Sequence, residues 1–240
     1  MAPNRTVERD ARKSSARPSL WTLEGTVTRC CIDHITITAP SLAVGVEFVR
    51  RALGVTPQVG GEHPRMGTHN FLLRLGDSVF LEVISPNPSA PKPERPRWFE
   101  LDNLEAHTPP KLATWVARTT DMYSTLAACS EPLGKVEPMS RGQLNWLMSI
   151  PSDGSLPFNG IAPTLIEWHT EAHLATKLQD IGCSFVRLEA FHPEAQRISA
   201  LLKSISLEGD ISVAPLPAGE QPYLVAYIQS PSGLRKLCAP

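Results

Sequence analysis

The chain has 240 residues, of which 42% are hydrophobic and 20% are charged, so it can bury one sizeable core or two small ones and is not a disordered polymer. Lys and Arg number 23 against 24 Asp and Glu, and the resulting formal charge of −1 provides no general basic surface for nucleic acid or an anionic membrane. The sequence has no apolar run of about 18 residues, so no transmembrane helix is expected.

Residues 1–28 show little hydrophobic periodicity, and we predict a disordered or loosely attached N-terminal extension. A transit peptide is the alternative, because this stretch is rich in Arg and contains Ser. The five cysteines are odd in number and include no C-x-x-C pair. This usage indicates reduced thiols and predicts a cytoplasmic protein.

The first predicted unit, residues 29–108, begins with a strand and a helix. Residues 32–38 alternate in polarity and are rich in β-branched side chains, which predicts a strand. Apolar residues then recur at helical spacing between Ser41, a good N-cap, and Gly54, a typical helix end. A linker with five prolines at residues 86–96 closes the unit.

Residues 68–85 predict the hairpin of this unit. Gly76 and Asp77 are typical of a two-residue turn between two strands. That turn places His69 on the same face as Glu82, because directly opposed residues share a face and alternate residues lie on the same side. The residue after His69, Asn70, would then point to the other face and have a structural role.

The second predicted unit, residues 109–180, repeats this order of elements. Its helix is predicted from an N-cap at Asp121 to Gly134, which is the same spacing as in the first unit at an offset of 80 residues. Strands are predicted at residues 143–150 and 164–170. A repeat of this length with two full copies indicates a duplicated module instead of a solenoid.

The sequence pattern of residues 181–240 predicts a partial third module that lacks one strand. The predicted fold is therefore α+β. Duplicated βαβββ modules would form a curled mixed or antiparallel sheet, with a cleft inside and helices outside.

Imidazole and carboxylate side chains are predicted to meet in this cleft. His34 and Thr36 lie on the face of the first strand that neighbours Glu82, and burying a carboxylate in such an apolar strand is costly unless it is paired. Glu167 occupies a similar apolar strand of the second unit. With His69, these side chains predict a site for zinc, iron, manganese or nickel. The alternative is that each Glu lies at the end of a strand and forms hydrogen bonds with the backbone or an ion pair with an Arg.

Other polar and aromatic residues have two interpretations each. Arg118 lies on the cleft side of the second unit and could neutralise a substrate anion, or it could form a surface ion pair. Trp168 could pack against a substrate or within the core, and Thr36 could bind a substrate through its hydroxyl. Four further histidines in polar or proline-rich contexts are expected at the surface: His63, His107, His173 and His192.

Several segments resemble the glyoxalase-like domain group of the vicinal oxygen chelate superfamily. They include Asp33–Ile37, Gly67–Asn70, Leu75–Asp77 and Leu81–Ile84. The resemblance extends over roughly residues 31–230 and is most specific in the first unit. It implies paired βαβββ modules around a cleft and metal ligands from the first and last strand of each module.

Carried over, the family's ligands are His34 and Glu82 in the first module and Glu167 in the second. The fourth position falls on Thr114, which is not a usual ligand, so His69 is the candidate substitute. The sequence departs from the family's pattern at this point.

The resemblance implies a metal-dependent lyase, isomerase or dioxygenase that acts on a small oxygen-bearing metabolite. The metal would chelate neighbouring oxygens and stabilise an oxyanion, while Glu82 or Glu167 binds the metal or moves a proton. The alternative is a metal-free small-molecule binding or sequestering protein on the same scaffold. The expected partner is a small molecule, with no nucleic acid and no membrane, and the cleft is completed within one chain or across a homodimer.

Overall fold

The computed structural model describes Met1, residues 29–217 and residues 219–238, so nearly all of the predicted N-terminal extension over residues 1–28 lies outside the described residues. The chain forms thirteen strands and three α-helices in these ranges. The strands are β1 (Cys30–Thr38), β2 (Gln58–His63), β3 (Thr68–Arg74), β4 (Phe80–Pro86), β5 (Lys111–Arg118), β6 (Lys135–Arg141), β7 (Leu144–Ile150), β8 (Thr164–Trp168), β9 (Ser184–His192), β10 (Leu207–Glu208), β11 (Ile211–Pro215), β12 (Tyr223–Ser230) and β13 (Gly233–Cys238). The helices are α1 (Leu42–Leu53), α2 (Met122–Ala128) and α3 (Ala195–Ser204).

The main sheet is a curled sheet built from two similar halves. Its strand order is β2-β3-β4-β1-β5-β8-β7-β6, and the short β10 pairs with β1. In each half the first strand is parallel to the last, β1 with β4 and β5 with β8, and the two halves join through the antiparallel β1–β5 pair. The edge strands β2 and β6 approach each other because the sheet curls. This architecture confirms the predicted α+β fold of duplicated modules.

The first helix forms where its capping residues predict. The Ser41 hydroxyl accepts a hydrogen bond from the Val44 N–H, and Gly54 ends α1 with a left-handed φ of 75°. The second helix ends at Ala128, well before the predicted end at Gly134. That prediction was wrong because Pro132 disfavours helical geometry in the residue before it.

The hairpin of β3 and β4 has a register one residue away from the predicted one. Its loop contains three residues instead of two, since the Leu75 N–H donates to the Val79 carbonyl oxygen at 3.0 Å. Leu72 therefore lies opposite Glu82. A slip of one residue moves each side chain to the other face of the sheet. Asn70 consequently shares the face of Glu82 and His69 does not, so the predicted placement of both was wrong.

The last part of the chain forms a separate sheet with the strand order β11-β9-β12-β13. Strand β13 was not predicted, and neither was β6 in the second unit. The second sheet and α3 bury their apolar side chains in the same core as the convex side of the main sheet and α1. Among the described residues the longest helix, α1, has 12 residues, and no helix is long and apolar enough to cross a bilayer.

Trp115 at the centre of this core provides a test of the packing. Its side chain is fully buried, and its indole N–H donates to the Ile161 carbonyl oxygen at 2.9 Å. We expect Trp115→Phe to lower the free energy of unfolding by about 2–4 kcal/mol, since the change leaves a cavity and an unpaired buried carbonyl. Urea unfolding measures this loss. Tyr123→Phe, at an exposed position of α2, is the control and should change stability by less than about 0.5 kcal/mol. Equal effects of the two substitutions would contradict the packing described for Trp115.

Candidate active site

A small cavity lies on the concave side of the main sheet, between its two halves. Its innermost part has a volume of about 30 Å³, which is room for about two water molecules, and the whole hollow, including its opening to solvent, contains about 390 Å³ of empty space. Most of its wall is aromatic or aliphatic. The polar or charged side chains in the wall, apart from the indole N–H groups, are His34, His63, Asn70, Glu82 and Arg141.

A bulge in β1 brings Asp33 to the same side of the sheet as His34, which lines the cavity. The pairing of β1 with β5 shifts between Ile32 and His34, so that Asp33 is the extra residue. Bulges re-aim side chains in this way and are frequent beside active sites. Asp33 is fully buried and bonds Trp168 of the cavity wall. The side chains of Asp33 and His34 therefore both lie on the concave side of the sheet, whereas consecutive residues of a regular strand point to opposite sides.

The buried Asp33 carboxylate accepts hydrogen bonds from several elements. Its Oδ1 accepts from His34 Nδ1 at 2.6 Å, and its Oδ2 accepts from His173 Nε2 at 2.8 Å and Trp168 Nε1 at 2.9 Å. Arg118 lies 3.4 Å from Oδ2. Burial by itself would raise the pKa of Asp33, but the bonds from His173 and His34 outweigh it and hold this pKa well below its usual range. Asp33 is therefore ionised at neutral pH.

The ionised Asp33 fixes the orientation of the His34 ring. A carboxylate can only accept, so the Nδ1 of His34 carries a hydrogen and donates it to Asp33, and Nε2 is the ring nitrogen that faces the cavity. That Nε2 lies 3.7 Å from Glu82 Oε2, and both side chains are buried. The imidazole also stacks on Phe80, with ring centroids 4.4 Å apart. His34 thus presents its Nε2 to the cavity, next to a carboxylate.

Asn70 connects Glu82 to a guanidinium. Its Nδ2 donates to Glu82 Oε1 at 2.6 Å, and its Oδ1 accepts from the Gly61 N–H at 2.8 Å and from Arg141 at 3.3 Å. A bulge in β2 at Gly60 and Gly61 makes room for these groups. A Cβ atom on Gly60 would lie 2.1 Å from the Asn70 Oδ1, and one on Gly61 would lie 2.9 Å from the Arg141 Cδ. Larger residues in the bulge would displace Asn70 or Arg141.

His63 lines the cavity in its neutral form. Burial lowers its pKa to about 3, and the neighbouring positive charge of Arg141 acts in the same direction. Its Nδ1 lies 3.1 Å from the Thr68 hydroxyl, and its Nε2 accepts from Arg141 at 3.3 Å. His63 therefore positions the guanidinium instead of carrying a charge itself.

The structure brings some of the predicted site residues together and separates others. His34 and Glu82 face each other, and Trp168 forms part of the cavity wall. Thr36 lies beside Glu82 on the same face and is fully buried, but it does not line the cavity. Arg118 lies against Asp33 and not in the cavity wall.

His69 and Glu167 lie away from the cavity. His69 points to the other face of β3 because of the register of the hairpin, and it is partly exposed. The carboxylate of Glu167 accepts from the Met122 N–H at 2.6 Å at the start of α2. Its neighbours Ile166 and Trp168 face the cavity, and Glu167 alternates to the helix side.

Sequence reasoning missed five residues of the site: Asp33, His63, Asn70, Arg141 and His173. Asp33 and Asn70 were missed because a bulge and a three-residue turn changed the faces expected from alternation. His63 and His173 had been expected at the surface, but His63 is buried in the cavity wall and His173 bonds Asp33. The Gly60-Gly61 pair was the signal that could have indicated a bulge beside the site.

The donor set does not fit the predicted metal centre. Within the described ranges, no group of three or more His, Cys, Asp or Glu side chains is arranged to hold an ion. His34 and Glu82 are the two predicted ligands that meet, whereas a catalytic zinc site usually has three protein ligands. The guanidinium of Arg141, which Asn70 links to Glu82, already supplies a fixed positive charge in this wall.

Comparisons with known proteins give a family match and distant structural similarity. A family model described as a glyoxalase-like domain matches residues 32–206. A search of curated proteins finds no match. One similar structure is a hypothetical protein from Staphylococcus aureus, at 12% identity and a TM-score of 0.46 over 87% of this chain and 84% of that chain.

Two further similar structures are those of named enzymes. The Mn(II)-bound glyoxalase from Novosphingobium aromaticivorans has 10% identity and a TM-score of 0.44 over 86% of this chain and 81% of that chain. Methylmalonyl-CoA epimerase from Streptomyces coelicolor, in complex with 2-nitronate-propionyl-CoA, has 20% identity and a TM-score of 0.40 over 58% of this chain and 97% of that chain.

The buried charge of Asp33 can be tested by an isosteric change. Asp33→Asn keeps the volume but removes an acceptor, so at least one of the bonds from His34, Trp168 and His173 must break. We expect the free energy of unfolding to fall by about 3 kcal/mol, because a buried donor or charge is left without its partner. Urea unfolding measures this, with the exposed Asp210→Asn as the control. A loss no larger than that of the control would contradict the role assigned to Asp33.

Proposed function

The chain belongs to the glyoxalase-like domain family, and from this premise we propose that it is an isomerase or lyase that moves a proton on a small oxygen-bearing metabolite. The observation that carries the proposal is the pair of His34 Nε2 and Glu82 Oε2, 3.7 Å apart in a half-open cavity. A basic nitrogen and a carboxylate in such a place are suited to general acid–base catalysis.

The neighbouring groups support this role for the pair. Asp33 holds the His34 ring in one orientation and stabilises the imidazolium that forms when Nε2 accepts a proton. Asn70 holds one oxygen of Glu82, so the other oxygen stays directed at His34. A carbon acid bound beside this pair could lose a proton to one of the two groups and regain a proton from either.

Arg141 supports the same reaction through its charge. Proton loss beside a carbonyl places negative charge on the carbonyl oxygen, and fixed donors near that oxygen stabilise the transition state. The guanidinium, which Asn70 links to the acid–base pair, is a permanent donor of this kind. We therefore propose acid–base chemistry that the chain's own side chains can perform, in place of the metal-dependent reaction that the resemblance implies.

Metabolite binding without turnover is a second candidate function. Three tryptophans, Trp98, Trp146 and Trp168, line the cavity, and such an aromatic wall suits a protein that sequesters a flat or apolar molecule. A reducing compartment such as the cytoplasm is the proposed location of either activity, because all five cysteines are free thiols.

Solvent-deuterium exchange tests the acid–base pair. Protein would be incubated in D₂O with a panel of small 2-oxo acids, 2-hydroxy acids and 2-hydroxy aldehydes, and loss of C–H signal would be followed by proton NMR. We expect the chain to catalyse exchange in at least one compound. His34→Ala and Glu82→Gln should each reduce that rate by about 100-fold or more, while His107→Ala, at an exposed position, should not. Binding of a compound without any exchange would favour the sequestering function instead.

Metal removal provides a separate test. We expect protein dialysed against a chelator to keep its exchange activity and to contain under about 0.1 metal ion per chain, since no step of the proposed chemistry needs an ion. Elemental analysis of protein purified without chelator would be compared with that of a His34→Ala Glu82→Ala variant. About one ion per chain that is lost in the variant, together with loss of activity on chelation, would contradict the metal-free proposal.

A further inference from the structure

We infer that Arg141 makes the cavity selective for molecules that carry a carboxylate, so that the substrate class is a small 2-oxo or 2-hydroxy acid. The carboxylate part of this inference stands on the geometry around Arg141 alone. The placement of the reacting carbon rests on the proposed function of His34 and Glu82.

The guanidinium of Arg141 enters the cavity without a carboxylate partner. It comes from the end of β6 in the second half of the sheet and reaches the wall formed by the first half. Its NH1 lies 3.3 Å from Asn70 Oδ1 and 3.3 Å from His63 Nε2, and both of these acceptors are neutral. Within the part of the chain that the structure describes, no Asp or Glu lies at ion-pair distance from Arg141.

This isolation distinguishes Arg141 from arginines close to it. Arg65 and Arg95, which contact the same strand β6, both pair with Glu137 of that strand. A partly buried cation whose hydrogen-bond partners are neutral, with Glu82 as a more distant negative charge, is a costly arrangement that an anionic ligand would relieve. Guanidinium groups bind carboxylates through two parallel charge-assisted hydrogen bonds, so a carboxylate is the fitting ligand.

A second donor in the cavity wall points to the same ligand. Trp98 lines the cavity and is 4% exposed, and its indole N–H has no hydrogen-bond partner among the described residues. Buried polar groups are nearly always bonded, and an indole N–H can only donate. The ring of His63 contacts both groups, since it lies edge-on to Trp98 with centroids 5.1 Å apart and accepts from Arg141. A ligand with acceptor oxygens could satisfy both donors.

The backbone beneath Arg141 is shaped to hold it. A Cβ on Gly61 would lie 2.9 Å from the Arg141 Cδ and 3.3 Å from its Nε. The bulge in β2 therefore lets the arginine side chain cross the strand at a place where any other residue would displace it. Gly61 is a positioning residue for the guanidinium, and this provides a way to move the charge without deleting it.

The spacing of the groups gives the size of the substrate. One amide, that of Asn70, separates Arg141 from Glu82, with contacts of 3.3 Å and 2.6 Å on its two sides. If the carboxylate of a substrate binds Arg141, the substrate carbon one or two bonds from that carboxylate would lie near Glu82 and His34. A 2-oxo or 2-hydroxy acid carries its reactive carbon at this distance from its carboxylate.

Binding of pyruvate and of its uncharged amide, pyruvamide, tests the inference. Titration calorimetry would measure both ligands with the wild-type chain, and we expect pyruvate to bind at least about tenfold more tightly, as a charge-assisted bidentate pair predicts. Arg141→Gln should abolish this preference, and Arg141→Lys should keep part of it. Arg65→Gln, which removes an exposed arginine that contacts the same strand β6, is the matched control and should keep the preference.

Gly61→Ala is the second variant, and it keeps the test valid if Arg141→Gln does not fold. It leaves the charge in the chain but displaces the side chain, so it should also lose the preference for pyruvate. Thermal unfolding would verify that each variant is folded. Equal binding of pyruvate and pyruvamide by the wild type, no binding of either, or a preference that survives in both Arg141→Gln and Gly61→Ala would overturn the inference.

The inference and the proposed function fail in different ways. If pyruvate binds through Arg141 but no 2-oxo or 2-hydroxy acid exchanges deuterium, the carboxylate site stands and the proposed enzyme does not. If His34→Ala and Glu82→Gln abolish exchange while Arg141→Gln leaves both exchange and ligand preference unchanged, the enzyme stands and the carboxylate site does not.

Discussion

The buried carboxylate of Asp33 is the constraint on which the rest of the site depends. A charge with no exposure to water is stable here because donors from separate elements reach it: His34 on β1, Trp168 on β8 and His173 in the segment after β8. These bonds cross the join between the two halves of the sheet. They therefore orient the imidazole of His34 and hold the later segment against the cavity at the same time.

The fold is duplicated, but the site is not symmetrical. The first half contributes His34 and Glu82 on its parallel pair of strands β1 and β4. In the second half the position matching His34 is the fully buried Thr114, and the cavity-facing residues of β8 include Ile166. The second half instead adds apolar wall and the guanidinium of Arg141. One copy of the module thus holds the imidazole and carboxylate pair, and the other supplies apolar wall and a positive charge.

The sequence predicts those parts of the molecule that depend on local signals. Ser41 and Gly54 bound α1 as expected, since capping is a property of a few adjacent residues. The parts that it did not predict depend on single-residue irregularities. An extra residue in the β3–β4 loop and a bulge at Asp33 each reverse which face a side chain occupies, and neither has a distinctive sequence signal. His63 and His173 were missed because their burial depends on distant segments.

The amide of Asn70 explains how a carboxylate and a guanidinium share a small cavity without neutralising each other. The Gly61 N–H can only donate, so it fixes the amide with Oδ1 towards β2 and Arg141 and Nδ2 towards Glu82. A direct ion pair would engage the same oxygens and N–H groups that a substrate needs. With the amide between them, Glu82 keeps its Oε2 for His34 and the reacting atoms, and Arg141 keeps its charge without a carboxylate partner. The β2 bulge, which gives Asn70 this position, is therefore as much a part of the site as the side chains that line it.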